Sequence, residues 1–446
     1  MTKWAAALAV MLAAAGGGAW TASAETGRSP APAEDSVAVF ITGSTLGSLR
    51  PCGCSGGQLG GLERRTAILH SVPPSSRLIL DIGHWVKQDL DQDLIKARIL
   101  TRAFQLLGYD VVHLADQDLV MAHNLGLLGE MTAGLAVITR DAAAAEVNVP
   151  GVFEKAFTAA GRGITVRLMS VGEQALRARL EAPSSPDPIE ADGVDVYIVD
   201  KLDPSLAEIQ AGAGSRPFCI VGPAESDEPK LWSPPNAESP VFSLGRYGRH
   251  VVRLLITREA SQAKCKLQFS AQTVSEDLPN DPSLVALYKD YQQIVADSGL
   301  LGRYRKVPLP KDLEYVGSKV CRQCHQSEHD QAASQKHAKA YSTLQKAGSH
   351  LDPECVICHA VGLDYEGGFV SVQETPELTD VGCEACHGPG SEHLRTEGKG
   401  KTCLPKRGCL DCHTPEQSGG YAGHETELLE KTRHWRELRK ANRVQQ

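Results

Sequence analysis

Aromatic residues are scarce in this 446-residue chain, and positive charge is not in excess. Phe, Trp and Tyr make up 5% of the sequence, so few large side chains are available to fill a core. The formal net charge of −8 does not suggest the basic surface that nucleic-acid binding requires. Beyond residue 24, no run approaches the roughly 18 apolar residues of a membrane-spanning helix. The sequence therefore predicts neither a nucleic-acid partner nor a membrane span.

The first 24 residues have the pattern of a secretory signal peptide. Lys3 supplies the positive start, residues 4–15 are apolar, and residues 22–24 (ASA) have the small side chains of a cleavage site. The apolar run breaks at three glycines, which makes a retained membrane span the weaker alternative. We expect cleavage after residue 24, a polar spacer over residues 25–35, and export to the bacterial periplasm.

Residues 36–275 alternate between short β-rich runs and helix-like stretches. Apolar residues recur at helical spacing over residues 91–107, and strands that alternate with helices are typical of an α/β domain. A helical linker over residues 276–312 leads to a last domain, residues 313–446, which we expect to be mainly α-helical and rich in loops. The predicted strands lie at residues 37–42, 77–82, 109–114, 194–199 and 217–221, with two more within 239–257, joined at glycines.

Thirteen cysteines in an exported protein would first suggest disulfide bonds. Nine of them fall after residue 320, however, and eight of these nine belong to four copies of Cys-x-x-Cys-His. Two thiols at this spacing bond the two vinyl groups of one porphyrin, and the adjacent His ligates the iron. The four motifs are Cys321-x-x-Cys324-His325, Cys355-x-x-Cys358-His359, Cys383-x-x-Cys386-His387 and Cys409-x-x-Cys412-His413.

Two other kinds of site also use Cys-x-x-Cys pairs. Structural zinc takes Cys and His ligands, but it does not require His directly after the second Cys in four successive motifs. A thioredoxin-like redox pair would be a single motif within a βαβ unit. The repeated motif therefore predicts four covalent haem c groups, whose apolar faces would replace the missing aromatic side chains.

Each haem iron has a second axial position, and histidine is the available ligand. Met169 is the last methionine of the chain, so His–Met ligation is excluded within the last domain and low reduction potentials are expected. Six candidates for four positions favour bis-His ligation of most of the irons. Besides the motif histidines, the last domain contains His329, His337, His350, His393, His424 and His434.

Three segments of the last domain resemble the cytochrome c-554 family, the tetrahaem cytochromes first known from ammonia oxidisers. They are residues 315–338, with YVGSKVC and SQKHA, residues 381–393, with VGCEACHGPG, and residues 412–434, with CHTPE before a late histidine. The resemblance implies that one haem can be five-coordinate, and an open iron is where small-molecule chemistry can occur. It also implies distal ligation by His337, His393, His434 and, less directly, His350.

The α/β domain has its own resemblance, to the 5′-nucleotidase (UshA-like) metallophosphatases, whose fold is a layered sandwich. It rests on residues 60–65 (GGLERR), 78–81 (LILD), 108–111 (GYDV) and 245–251 (GRYGRHV). The resemblance implies a metallophosphatase-like α/β fold for this part of the chain.

The metal ligands of such a phosphatase are largely absent. A two-metal site needs Asp, His and Asn side chains around both ions. The corresponding positions here are Ser44, Thr45, Leu46, His84, residues 115–118 (ADQD) and residues 222–225 (GPAE). We expect the hydrolase site to be lost, with His84 and Asp116 as the candidates for one remaining metal ion.

Cys52 and Cys54 lie in a glycine-rich loop, at the edge where a metallophosphatase active site opens. As a Cys-x-Cys pair they are the candidate catalytic residues of this domain, by soft-metal binding or by thiol cycling. The alternative is a structural disulfide, within the pair or to Cys219 and Cys265. Cys403 is assigned no role.

These observations predict an exported multihaem c-type cytochrome that exchanges electrons with periplasmic redox proteins. The α/β domain would serve docking or sensing instead of hydrolysis, since a fold does not carry a function by itself. The alternative is a periplasmic oxidoreductase that acts at a five-coordinate haem or at the pair of Cys52 and Cys54.

Overall fold

A computed structural model shows two β-sheets, the helices packed around them and a loop-rich C-terminal region. It describes residues 20–21, 36–51, 57–87, 90–140, 148–159, 161–181, 193–208, 216–234, 237–258, 265–310, 312–399, 408–414, 416–418, 420–421 and 423–434. Cys52, Cys54 and Cys403 lie outside these residues, and so do the predicted signal peptide, apart from residues 20–21, and the predicted spacer.

Thirteen strands are present in the described residues, in two sheets. In chain order they are β1 (Trp20–Thr21), β2 (Ser36–Thr42), β3 (Arg77–Asp81), β4 (Val111–His113), β5 (Ala136–Ile138), β6 (Val152–Ala159), β7 (Arg162–Ser170), β8 (Gly193–Ile198), β9 (Phe218–Ser226), β10 (Lys230–Leu231), β11 (Val241–Gly245), β12 (His250–Thr257) and β13 (Lys266–Thr273).

Thirteen α-helices accompany these strands in the described part of the chain. They are α1 (Leu62–Leu69), α2 (Asp91–Leu107), α3 (Asp116–Asn124), α4 (Leu128–Thr132), α5 (Glu173–Glu181), α6 (Pro282–Ser298), α7 (Ser318–Cys321), α8 (Gln326–Ala333), α9 (Ala340–Ala347), α10 (Pro353–His359), α11 (Cys383–His387), α12 (Ser391–Arg395) and α13 (Glu425–Thr432). Short 3₁₀ turns occur at Pro74–Ser76, Pro204–Glu208, Arg246–Gly248, Lys336–Lys339, Pro376–Leu378 and Cys409–Asp411.

The first sheet has the strand order β13-β12-β2-β3-β4-β5. The strands from β2 to β5 are parallel, whereas β12 is antiparallel to both β2 and β13. Every residue of β2 is buried, which explains why its sequence SVAVFIT has no polar alternation: a parallel strand in the middle of a sheet is covered on both faces. The carboxyl ends of β2, β3 and β4 therefore meet at one edge.

The second sheet has the order β1-β10-β11-β9-β8-β7-β6 and packs against the first. Val39 and Leu80 of the first sheet share one buried core with Leu168 and Val196 of the second. On the outer face of the first sheet, Phe40 packs into a different core, formed with α1, α2, α3 and α6. The result is a layered α/β sandwich, and the predicted fold class of this domain is confirmed.

Local sequence signals position α2 and α6. The helical spacing over residues 91–107 predicts a helix that the structure places at Asp91–Leu107. In α6, the Asp281 carboxylate accepts a hydrogen bond from Ser283 N as an N-cap, and Gly299 ends the helix in the left-handed region at φ 66°. The apolar face of α6 packs into the α1–α2 core of the α/β domain, through Leu284, Leu287, Tyr291 and Val295.

The C-terminal region consists of short helices and loops, as its sequence predicts. None of its described helices exceeds eight residues. A small core includes Tyr341, Leu344, Val356, Leu363 and Phe369. Among the described residues, no helix is both long and apolar enough to cross a membrane.

Candidate haem centres

Each Cys-x-x-Cys-His motif forms about one helical turn. In the first motif His325 N donates to Cys321 O at 2.9 Å, and in the fourth His413 N donates to Cys409 O at 2.8 Å. Residues three and four apart share one face of a helix, so this turn directs both thiols and the imidazole to the same side. The motif geometry is therefore suited to hold a porphyrin at its edge and its iron at the centre.

Three of the four motif histidines face a second histidine. The ring centroids of His325 and His393 are 5.9 Å apart, with an interplanar angle of 26°. An iron ligated on both sides lies about 2 Å from each nitrogen, so two ligating rings have centroids roughly 6 Å apart. The other two pairs are His387 with His434, at 6.1 Å, and His413 with His337, at 6.2 Å. These spacings fit an iron between each pair of rings.

The second motif has a different environment. His359 Nδ1 lies 2.8 Å from Ala340 O, a contact that turns Nε2 away from the backbone. The His350 ring meets the Tyr341 ring at 6.4 Å, and His350 O accepts a hydrogen bond from Tyr341 Oη at 2.9 Å. His350 Nδ1 is buried and has no hydrogen-bond partner within the described part of the chain. His350 thus lies beside Tyr341, and its ring has a nitrogen of the kind that can coordinate a metal.

The remaining two candidate histidines face carboxylates. His329 Nδ1 lies 3.2 Å from Asp330, and His424 Nδ1 lies 3.7 Å from Glu427. His337, in contrast, has its pKa lowered by burial, then by the nearby His413 and His359. His337 is therefore close to the second and the fourth motif at once.

Protein groups around the ring pairs orient the imidazoles. No sequence pattern predicts these orienting groups. His413 Nδ1 lies 3.1 Å from Ser418 Oγ, and its ring stacks on Tyr421 at 4.6 Å. His434 Nδ1 lies 3.1 Å from Thr432 O. A partner at Nδ1 fixes the ring and leaves Nε2 for a metal, as is general for metal-ligating histidines.

The first, third and fourth motifs are neighbours. A hydrogen bond between Cys321 and Cys383 lowers the pKa of Cys383 and raises that of Cys321. Burial raises the pKa of Cys386, and so do the nearby Cys409 and Cys412. Haems attached at these three motifs would lie side by side.

Glu384, inside the third motif, joins that motif to the start of the domain. It is buried, and its carboxylate accepts hydrogen bonds from Val316 N at 3.0 Å, Gly317 N at 2.7 Å and Gly390 N at 2.7 Å. Burial raises the pKa of Glu384, and these three N–H groups oppose that shift. In the sequence Glu384 is only a variable position of a motif, whereas the structure shows that it fixes the fold around it.

The positions that correspond to metal ligands in the metallophosphatase resemblance lie in a charge network. The Asp116 carboxylate lies 3.3 Å from Arg140 Nη2, and Arg140 also pairs with Asp200. His84 has a positive φ of 59°, and burial lowers its pKa. The described residues contain no group of three or more His, Cys, Asp or Glu able to hold a metal ion. The structure thus gives no support to a metal at His84 and Asp116.

Cys219 and Cys265 are buried between the two sheets. Burial raises the pKa of the Cys219 thiol, as expected for a side chain that serves packing. Because Cys52 and Cys54 lie outside the described residues, their candidate catalytic role stays a prediction.

Comparison with known proteins bears on both parts of the chain. Residues 320–388 match the family described as cytochrome c554 and c-prime. The cytochrome c-554 of Nitrosomonas europaea is 33% identical over 115 residues, which are 22% of this chain and 49% of that protein. The chain thus spans about half the length of this curated relative.

Among solved structures, the sulfate thiohydrolase SoxB of Thermus thermophilus has a TM-score of 0.43 and 13% identity, covering 60% of this chain and 62% of its own. A 5′-nucleotidase precursor from the same organism has a TM-score of 0.42 and 14% identity, covering 70% and 68%. The match over residues 320–388 confirms the resemblance of the C-terminal region to the c-type cytochromes of the cytochrome c554 and c-prime family.

Proposed function

We propose that this chain is an exported, periplasmic c-type cytochrome that carries four covalent haem c groups and transfers electrons through them. The observation that carries the proposal is the approach of three motif histidines to three further histidines, at centroid distances of 5.9, 6.1 and 6.2 Å. Bound haem supplies an iron that cycles between the ferric and ferrous states.

The histidine pairs assign the axial ligands. His325 and His393 would hold the first iron, His387 and His434 the third, and His413 and His337 the fourth. For the second iron, His359 is the proximal ligand and His350 is the distal candidate that the sequence offers. The attachment sites are the eight motif cysteines, Cys321, Cys324, Cys355, Cys358, Cys383, Cys386, Cys409 and Cys412.

The pairs suit electron transfer better than substrate turnover. Two imidazoles on one iron would leave it no open position, so its ligands would not need to rearrange when an electron arrives. Since His337 lies near His359 as well as His413, a connected route runs from the second motif through the fourth to the third and first. Periplasmic redox proteins would donate and accept these electrons.

The α/β domain would serve docking or sensing in this proposal. Ser44 Oγ accepts a hydrogen bond from Ala224 N, and Arg140 pairs with both Asp116 and Asp200. Side chains at the positions that correspond to phosphatase metal ligands thus contact other protein groups. These contacts support a domain without hydrolase activity.

The His393→Ala variant tests the assignment of ligands. Removal of one distal imidazole should convert one haem in four from low-spin to high-spin and allow it to bind CO. The matched control is His424→Ala, which removes a histidine that faces Glu427 and should leave the spectrum unchanged. An unchanged spectrum in His393→Ala, with the full haem content, would contradict the assignment of His393 as an axial ligand.

A further inference from the structure

The α/β domain forms hydrogen bonds with the polypeptide directly before the second haem motif. The Asp352 carboxylate, 5% exposed, accepts hydrogen bonds from Gln92 Nε2 at 2.8 Å and from Tyr291 Oη at 3.0 Å. Gln92 Nε2 also donates to Tyr291 Oη at 2.8 Å. Gln92 belongs to α2 and Tyr291 to α6, so two helices of the α/β core meet at one buried carboxylate.

The same carboxylate begins the helix that carries the motif. Asp352 Oδ1 accepts a hydrogen bond from Glu354 N at 2.9 Å and is the N-cap of α10. Helix α10 contains Cys355, Cys358 and His359, so all three groups of the second haem site belong to one short anchored element. Its position is therefore fixed by the α/β domain and not by the cytochrome domain alone.

An ion pair between buried Lys96 and exposed Glu354 lies one residue from the attachment site. Lys96 Nζ contacts both carboxylate oxygens of Glu354 at 2.6 Å, and Lys96 is only 5% exposed. Burial alone would lower the pKa of Lys96, but Glu354, Asp93 and Asp352 outweigh it and raise that pKa. Lys96 is thus a positive charge at neutral pH, held beside the residue that precedes Cys355.

A second contact holds the two domains together at the fourth motif. Lys87 forms an ion pair with Glu416, and Arg249 Nη2 donates to Glu416 O at 3.3 Å. Glu416 follows His413 by three residues. With anchors at two haem motifs, the α/β domain cannot shift at one of them without straining the other.

We propose that Lys96 is a positioning residue that sets the midpoint potential of the second haem, by neutralising Glu354 beside the Cys355 attachment. This inference rests on haem attachment at the second motif, which is part of the proposed function. A carboxylate left without its cation near an iron stabilises the ferric state and lowers the potential, whereas removal of the negative charge of that carboxylate raises it. Because Lys96 is buried, salt screens its charge less than that of a surface lysine, whereas the Glu354 side chain is 44% exposed.

Four variants test this with spectroelectrochemical titration of the haem-loaded protein. Lys96→Met should shift one of the four midpoint potentials downward, and Glu354→Gln should shift the same one upward. The double variant should return close to the wild-type potential, and Lys96→Arg should keep it. The matched control is Lys155→Met, which breaks a 2.6 Å ion pair with Asp110 at the amino end of β4 and should move no potential.

The signs of the shifts distinguish this proposal from a purely structural role. If the two single variants shift the potential in the same direction, or not at all, Lys96 does not act through charge. If the Lys96→Met variant does not accumulate, the expected upward shift of the midpoint potential in Glu354→Gln tests the proposal by itself. The haem content distinguishes a failure of the proposed function from a failure of this inference. Fewer than four haems in the wild-type protein would contradict the proposed function. Four haems with unchanged midpoint potentials in the variants would contradict only the inference about Lys96.

Discussion

Asp352 caps a helix and joins two domains, so its removal should cost far more than the loss of an ordinary cap. In Asp352→Ala, the lost cap costs about 1 kcal/mol. The buried Tyr291 hydroxyl loses its acceptor and Gln92 Nε2 loses one of its two acceptors, at about 1–2 kcal/mol each. The expected loss in the free energy of unfolding is therefore about 3–5 kcal/mol, nearer the lower value because a buried carboxylate is removed as well.

Asp281→Ala is the matched control for this prediction. Asp281 caps α6 with the same bond length, 2.9 Å from the carboxylate to the N–H two residues on, at a position open to solvent. Its removal should cost only about 1 kcal/mol. Urea unfolding of both haem-loaded variants at pH 7 measures the difference. Equal losses would refute the conclusion that Asp352 carries an interdomain network.

Two further predictions concern the α/β domain. Burial raises the pKa of Asp118 to about 7, so the folded protein holds this proton more tightly than the unfolded chain. Stability should therefore fall as pH rises from about 4 to about 7, giving a lower Tm at pH 8 than at pH 5, and the Asp118→Asn variant should lose this slope. In Gly248→Ala, the new Cβ would overlap the Arg65 guanidinium at a φ of 59°, with an expected cost of about 2–4 kcal/mol in urea unfolding. Gly161→Ala, with φ 73° and open space, should cost only about 1 kcal/mol, and similar losses at both glycines would contradict the close packing of Arg65.

The parts that the sequence predicts well are those with local causes. The strand at residues 77–82 and the helix at 91–107 follow from apolar patterns, and the structure places them at Arg77–Asp81 and Asp91–Leu107. The motif geometry is equally local, because Cys321 and His325 belong to one helical turn. Spacing alone therefore predicts the attachment cysteines and the proximal histidines.

Features that depend on distant residues escape such reasoning. The two strands predicted within residues 239–257 are present, but β11 and β12 belong to different sheets, a division that no local pattern encodes. The β6–β7 hairpin was missed, because β6 is largely exposed and lacks a strong apolar run. The contact of Lys96 with Glu354 spans 258 residues, so only the folded chain reveals that the α/β domain reaches the second haem motif.

The most direct test of the central claim is the intact mass of the purified protein, measured together with its pyridine haemochrome spectrum. Four covalent haems should add about 2.5 kDa to the polypeptide, and the absorbance should give four haems per chain. Variants that lose both cysteines of one motif should each lose one quarter of that mass increment. An unmodified polypeptide mass, or zinc bound in place of haem, would contradict the account.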